Sequence, residues 1–163
     1  MLPKKIEDRI FKKLFSLKKY SDDVEGVVCA CIVDKKGKIL FSSPSFKDGR
    51  HAEYVVIQKI REKNISSDNL ILYTTLEPCS KRSNPSMQDC TTVVIHSGIK
   101  NVVYAALDPE YSSETANRFK KSGIKYQRIK NKTIIRESMK LFNSTITIPL
   151  SEMELNRKKK LIE

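Results

Sequence analysis

Residues 51–53 read His51-Ala52-Glu53, residues 75–79 read Thr75-Leu76-Glu77-Pro78-Cys79, and a further cysteine follows at Cys90. One imidazole and two thiols can fill three corners of a tetrahedral zinc site, because zinc prefers nitrogen and sulfur ligands in that geometry. A water can take the fourth corner, and the carboxylate of Glu53 can move its proton. These segments therefore predict a catalytic zinc site with His51, Cys79 and Cys90 as ligands.

The predicted secondary structure favours convergence of these three side chains. Cys79 follows a predicted strand and Cys90 opens a predicted helix, where backbone N–H groups lower the pKa of a thiol. His51 begins a neighbouring helix, so all three ligands can meet at the strand ends, where α/β sheets usually carry their sites. The other histidine, His96, lies late in the Cys90 helix and is interpreted as a helix-end or packing residue. A fourth protein ligand would instead make the site structural.

The apolar pattern of the whole chain predicts an α/β fold. A leading amphipathic helix is expected over residues 6–20. Strands are expected at 27–34, 38–42, 69–75, 100–107 and 124–129, and further helices at 51–63, 90–97, 112–121 and 133–142. This order is typical of a three-layer α/β/α sandwich with a five-stranded mixed sheet. Cys29 and Cys31 share one face of the first strand and are interpreted as small buried hydrophobic residues.

The composition predicts one domain over residues 1–150 and a basic tail or short helix over residues 151–163. The formal charge of +12 favours anionic partners and leaves nucleic acid open as one of them, although a lysine-rich solvated surface explains the charge equally well. Since no apolar run approaches the ~20 residues that cross a bilayer, no membrane partner is expected. The charged N-terminus lacks a signal-peptide core, so the expected location is the cytoplasm.

The motifs resemble those of the cytidine deaminase-like superfamily, whose signature is H-x-E…P-C-x-x-C. Within it, the likeness is strongest to the deaminase domain of riboflavin biosynthesis, which acts on a phosphoribosyl diaminopyrimidine. It covers residues 27–142 and rests on the segments 49–53, 75–80, 97–103, 108–109 and 121–124. Ten residues separate Cys79 from Cys90 here, whereas the transfer-RNA deaminases keep two. The wide gap is typical of the riboflavin branch.

The resemblance implies zinc at His51, Cys79 and Cys90, with Glu53 as the catalytic proton shuttle. Residues 1–150 are accordingly interpreted as a zinc-dependent deaminase domain. The expected reaction is hydrolytic deamination of an amino-pyrimidine-type nucleotide or a riboflavin-pathway-like compound, with release of ammonia. Relatives of this kind commonly associate, so a homodimer is a further expectation.

The loop after Cys79 contributes the predicted substrate contacts. Lys81 and Arg82 are expected to face an anionic part of the substrate, because this loop lies between two ligands. Asp108, which follows the fourth predicted strand, is the third candidate for substrate binding.

Two alternatives remain open at the level of sequence. A DNA- or RNA-editing deaminase would suit the charge of +12, but aromatic residues that could stack flipped bases are not interleaved with the basic runs. A non-catalytic, zinc-stabilised binding module would suit the ligands alone. Glu53 argues against that module, because a structural site has no use for a proton shuttle.

Overall fold

The computed structural model describes residues 2–109 and 112–143, and the predicted tail at 151–163 lies outside these ranges. The strands are Cys29–Val33 (β1), Ile39–Pro44 (β2), Ile71–Leu76 (β3), Asn101–Ala106 (β4) and Lys125–Arg128 (β5). The helices are Lys4–Ser16 (α1), Ala52–Glu62 (α2), Cys90–Ser97 (α3), Ser112–Lys121 (α4) and Lys132–Asn143 (α5). The predicted order of elements is confirmed.

The five strands form one mixed sheet in the order β2-β1-β3-β4-β5. Strand β1 pairs antiparallel with both β2 and β3, whereas β3, β4 and β5 run parallel. Parallel neighbours need a crossover, and α3 and α4 supply these connections. The carboxyl ends of β3 and β4 therefore lie at the same edge of the sheet.

Helices cover both faces of the sheet, which gives the predicted three layers. Alternate residues of each central strand point to opposite faces, so every such strand feeds two cores. One core lies under α1 and α5 and contains Cys29, Cys31, Tyr73 and Val103. The other lies under α2, α3 and α4 and contains Ala30, Ile32, Leu72 and Val102. Both thiols of β1 are fully buried, as predicted for packing residues.

The helix boundaries differ from the predicted ones at a few places. Helix α1 begins two residues early, because the carbonyl of Pro3 already accepts hydrogen bonds from the N–H groups of Ile6 and Glu7. Its end tightens into a 3₁₀ turn at Leu17–Tyr20. The apolar residues of α2 predict a buried stripe of Ala52, Val55, Val56, Ile57 and Ile60, but Val55 is only half-buried. None of the helices in the described ranges is long and apolar enough to span a bilayer.

Candidate metal centre and active site

His51 is held at the amino-terminal end of α2. It is the N-cap residue, with an extended backbone of φ −70° and ψ 152°, but its side chain makes no capping hydrogen bond. Its ring instead lies against the two predicted thiol ligands. The Nδ1 atom is 3.2 Å from the Sγ atom of Cys90 and 3.6 Å from that of Cys79.

The two thiols come from different elements that meet beside His51. Cys79 lies in the loop that leaves β3, and Cys90 is the first residue of α3. The N–H group of Cys90 donates to the sulfur of Cys79 over 3.4 Å. The sequence predicts Asp89 as the N-cap of α3 and Gly98 as its C-terminal stop. Both predictions are confirmed, because Asp89 accepts from the N–H group of Thr92 and Gly98 ends the helix in the left-handed conformation.

The spacing of these three ligand atoms fits a zinc ion. The nitrogen and the two sulfurs all lie within 4.8 Å of one another. With Zn–N near 2.0 Å and Zn–S near 2.3 Å, tetrahedral angles put a nitrogen and a sulfur roughly 3.5 Å apart. The two observed N–S distances, 3.2 and 3.6 Å, are close to that value. The donor set, one imidazole and two thiols, also matches the ligands that zinc prefers.

Glu53 lies beside the three ligands, in the first turn of α2. Its side chain is 2% exposed. One carboxylate oxygen is 3.6 Å from the sulfur of Cys90, and the other is 3.4 Å from the hydroxyl of Thr74. Burial raises the pKa of Glu53, although the nearby His51 opposes this shift. A carboxyl group with a raised pKa is suited to taking up and returning a proton near neutral pH.

The electrostatics of the ligands favour one thiolate beside the imidazole. The thiol of Cys90 donates to Cys79 and so lowers the pKa of Cys79, an effect that His51 reinforces. The same hydrogen bond, together with burial, raises the pKa of Cys90. Burial lowers the pKa of His51, but the hydrogen bond and the charge of Cys79 outweigh it, so the net shift is upward. The amino-terminal ends of α2 and α3 both lie here, and their dipoles stabilise negative charge.

A cavity of about 560 Å³ opens onto these groups. His51, Glu53 and Cys79 are part of its wall. Most of the rest is formed by the loop before β1, the loop that precedes α2 and the loop between the two cysteines, and the ends of β3, β4 and α5 contribute Leu76, Glu77, Asp108 and Phe142. The volume lies within the usual range for small-molecule sites.

A comparison with family models shows the family of this chain. Residues 4–106 of the 163 match the family described as the cytidine and deoxycytidylate deaminase zinc-binding region. The chain belongs to this deaminase family. The match covers α1 to β4, and so includes all three candidate ligands and Glu53.

Individual relatives of this deaminase-family chain bear names from riboflavin biosynthesis. The diaminohydroxyphosphoribosylamino-pyrimidine deaminase of Schizosaccharomyces pombe is 30% identical over 130 residues, which cover 76% of this chain and 32% of that protein. The riboflavin biosynthesis protein RibD of Aquifex aeolicus is 38% identical over 98 residues, covering 57% of this chain and 26% of that protein. The matched regions thus amount to about a third or less of these relatives.

A solved structure supports the same relationship. The diaminohydroxyphosphoribosylaminopyrimidine deaminase/5-amino-6-(5-phosphoribosylamino)uracil reductase of Thermotoga maritima superposes with a TM-score of 0.71 at 28% identity. The superposition covers 87% of this chain and 40% of that one. The predicted cytidine deaminase-like sandwich is therefore confirmed.

Zinc is the metal of this deaminase family, and the described residues include a group that could hold it. The predicted cofactor is thus confirmed. His96 is exposed near the end of α3 and does not belong to that group, in keeping with its interpretation as a helix-end residue.

Lys81, Arg82 and Asp108 all line the cavity, and their role in substrate binding stays a prediction. The Nη2 atom of Arg82 donates to the carbonyl of Gly49 over 2.6 Å, so it also joins the loop between the cysteines to the loop before α2. Asp108 is buried, and its N–H group donates to the carboxylate of Glu77 over 2.9 Å.

Two buried groups next to the site were not predicted. The hydroxyl of Thr74 lies against Glu53 and donates to the carbonyl of Leu76 over 2.8 Å. Glu77 is 1% exposed and accepts hydrogen bonds from the N–H group of Asp108 and the hydroxyl of Tyr126. The sequence holds a signal for Glu77, because it lies inside the Thr75–Cys79 motif at the end of a predicted strand. A carboxylate that is buried at such a position needs hydrogen-bond donors around it.

Proposed function

We propose that this chain is a zinc-dependent hydrolytic deaminase that acts on an amino-pyrimidine-type nucleotide. The names of its riboflavin-pathway relatives support a substrate of this class. The proposal rests on one observation: three zinc-type ligand atoms within 4.8 Å of one another lie beside a buried carboxylate on the wall of a small-molecule cavity. Three protein ligands leave one position for the reaction, as in catalytic zinc sites.

His51, Cys79 and Cys90 would hold the metal. Zinc bound there lets water act as a nucleophile at neutral pH, by lowering the pKa of that water from about 15.7 to near 7. The positions of two ligands support this assignment, since His51 is the N-cap residue of α2 and Cys90 is the first residue of α3. Both helix ends favour the negative charge that two thiolates bring.

Glu53 would move the protons of the reaction. The attacking water forms a C–O bond to the amine-bearing carbon of the ring and gives a proton to Glu53. Glu53 passes this proton to the ring nitrogen, then takes the second proton from the new hydroxyl group and gives it to the amine. The C–N bond breaks, the C–O bond becomes a carbonyl, and ammonia leaves. Burial raises the pKa of Glu53, which supports this role because the carboxylate then holds a proton more readily than an exposed one does.

The cavity supports a nucleotide-sized substrate with an anionic group. Lys47, Lys81 and Arg82 belong to its wall, and Asp23, Glu25 and Asp48 lie there as well. A phosphate could be held by the cations while polar groups orient the ring and the sugar. The assignment of Lys81, Arg82 and Asp108 to substrate contacts is part of this proposal.

Ammonia release by the zinc-loaded full chain tests the proposal. The substrates to compare are the phosphoribosyl diaminopyrimidine, dCMP, cytidine and a single-stranded oligonucleotide. We expect turnover of the phosphoribosyl compound. Turnover of the oligonucleotide alone would favour a nucleic-acid-editing deaminase instead. If none of the four substrates is turned over, the proposed function is wrong. The extent of the deaminase domain over residues 1–150, the cytoplasmic location and a homodimer stay predictions.

A further inference from the structure

The wide gap between the two cysteines creates a structural requirement. In the compact P-C-x-x-C signature, both thiols lie within one short segment. Here Cys79 and Cys90 lie on different elements, with residues 80–89 between them. Their sulfurs nevertheless lie within 4.8 Å of each other. Contacts from outside the loop must therefore hold its two ends together.

Part of this support comes from the first turn of α3. The N–H group of Thr91 donates to the carbonyl of Cys79 over 2.9 Å, and its hydroxyl donates to the same carbonyl over 2.9 Å. Thr91 is fully buried. These two bonds attach Thr91, which directly follows the ligand Cys90, to the backbone of the other ligand, Cys79.

The rest comes from α4, which brings one arginine to both ends of the loop. The Nη1 atom of Arg118 donates to the carbonyl of Ser80 over 3.1 Å and to the carboxylate of Asp89 over 3.0 Å. Ser80 directly follows Cys79, and Asp89 directly precedes Cys90. The side chains of Arg118 and Asp89 are 29% and 18% exposed, so the ion pair is partly shielded from water.

Asp89 links this ion pair to the helix that carries Cys90. Its carboxylate also accepts from the N–H group and the hydroxyl of Thr92, over 2.8 and 2.9 Å, and so fixes the start of α3. The Nη2 atom of Arg118 donates to the hydroxyl of Thr92 as well. One turn earlier on α4, the hydroxyl of Thr115 donates to the carbonyl of Pro78 over 3.1 Å. Helix α4 therefore contacts the segments that carry both thiols.

We propose that Arg118 is a positioning residue of the metal centre: it joins Ser80 to Asp89 and so sets the separation of the two thiol ligands. This inference rests on the proposed metal ligands His51, Cys79 and Cys90. Arg118 itself would not touch the metal. The planar guanidinium suits this task, because its several N–H donors have fixed directions, whereas a lysine ammonium is a flexible point charge.

Cobalt binding to the metal-free full chain tests this inference without relying on activity. Co²⁺ is titrated while thiolate-to-cobalt charge-transfer absorption is recorded, for the wild type, Arg118→Met, Arg118→Lys and the control Lys120→Met. Lys120 is an exposed cation on the same helix. We expect Arg118→Met to weaken Co²⁺ binding by about 10- to 100-fold, as loss of an outer-shell partner does. Arg118→Lys should recover part of this loss, and Lys120→Met should match the wild type.

The results for Arg118→Met and for the wild type distinguish failure of this inference from failure of the proposed function. If Arg118→Met binds Co²⁺ within about threefold of the wild type, the inference is wrong, even where urea unfolding shows a less stable protein. If the wild type itself lacks the thiolate absorption, the proposed ligand set fails and the inference fails with it.

A second variant covers the case in which Arg118→Met does not fold. Asp89→Asn removes the ion pair with Arg118 but keeps the N-cap of α3, because asparagine and aspartate are about equally good N-cap residues. We expect this variant to weaken Co²⁺ binding in the same direction. Arg118→Lys should weaken Co²⁺ binding less in this variant than in the wild type, because the contact between Arg118 and Asp89 is already weakened; fully additive losses would contradict the inference.

Discussion

Replacing Glu53 with glutamine removes the proposed proton carrier while it conserves the shape of the side chain. The carboxylate is 2% exposed, and its two oxygens lie 3.4 Å from the Thr74 hydroxyl and 3.6 Å from the Cys90 sulfur. Glutamine can keep these neighbours but cannot accept the proton of the attacking water. Proton transfer by a positioned side chain contributes about 10²- to 10⁴-fold in rate. We therefore expect kcat to fall by that factor, or roughly 3–5 kcal/mol of transition-state stabilisation.

The assay for this variant combines ammonia release with measurement of bound zinc. Glu62→Gln, at the other end of α2 and with its side chain 60% exposed, is the matched control and should retain full activity. Glu53→Gln should keep one zinc per chain, because the carboxylate is not among the proposed ligands. Turnover above a tenth of the wild-type value would refute the assignment of Glu53. Loss of zinc together with activity would show that Glu53 supports the metal instead.

Three further changes test the fold around the site. Gly37→Ala should lower the free energy of unfolding by about 1–3 kcal/mol, because φ is +84° and a Cβ would lie 2.3 Å from Cγ2 of Ile6; an unchanged urea midpoint would contradict this. Cys31→Ala should lower the free energy of unfolding by about 1–2 kcal/mol, because the thiol is fully buried in the core under α1 and α5. The zinc content should stay unchanged, and loss of zinc would make Cys31 part of the metal site. Burial raises the pKa of Glu7, whose carboxylate accepts from the hydroxyl of Tyr73 over 2.9 Å. The stability that Glu7 contributes is thus full below the ordinary value of 4.5 and is lost as the pH rises through the folded pKa. Glu7→Gln should remove this decline in the free energy of urea unfolding above pH 4.5, and an unaltered pH dependence would count against a raised pKa.

The order of elements could be predicted because the local signals agree with one another. Helix α3 is the clearest case: Asp89 before it and Gly98 after it are typical of a helix start and end, and both act as predicted. The burial of Cys29 and Cys31 follows equally from their two-residue spacing on a strand. In each case a residue and its immediate neighbours carry the information.

The network around the cysteines could not be predicted in this way. Arg118 reaches Asp89 across 29 residues of sequence, and Tyr126 reaches Glu77 across 49. These contacts depend on the order of β3, β4 and β5 in the sheet and on the packing of α4 beside α3. Neither periodicity nor local spacing specifies which arginine or tyrosine arrives at a given carboxylate. The position of Val55 at the margin of the α2 stripe has the same origin, because burial there depends on the neighbouring elements.

X-ray absorption at the zinc edge of the purified full chain tests the central claim most directly. One nitrogen and two sulfurs are within reach of a single ion, so we predict one zinc per chain with two Zn–S distances near 2.3 Å and one Zn–N distance near 2.0 Å. An oxygen should complete the shell. A shell of four sulfurs, a shell without sulfur, or protein that binds no zinc would contradict the account.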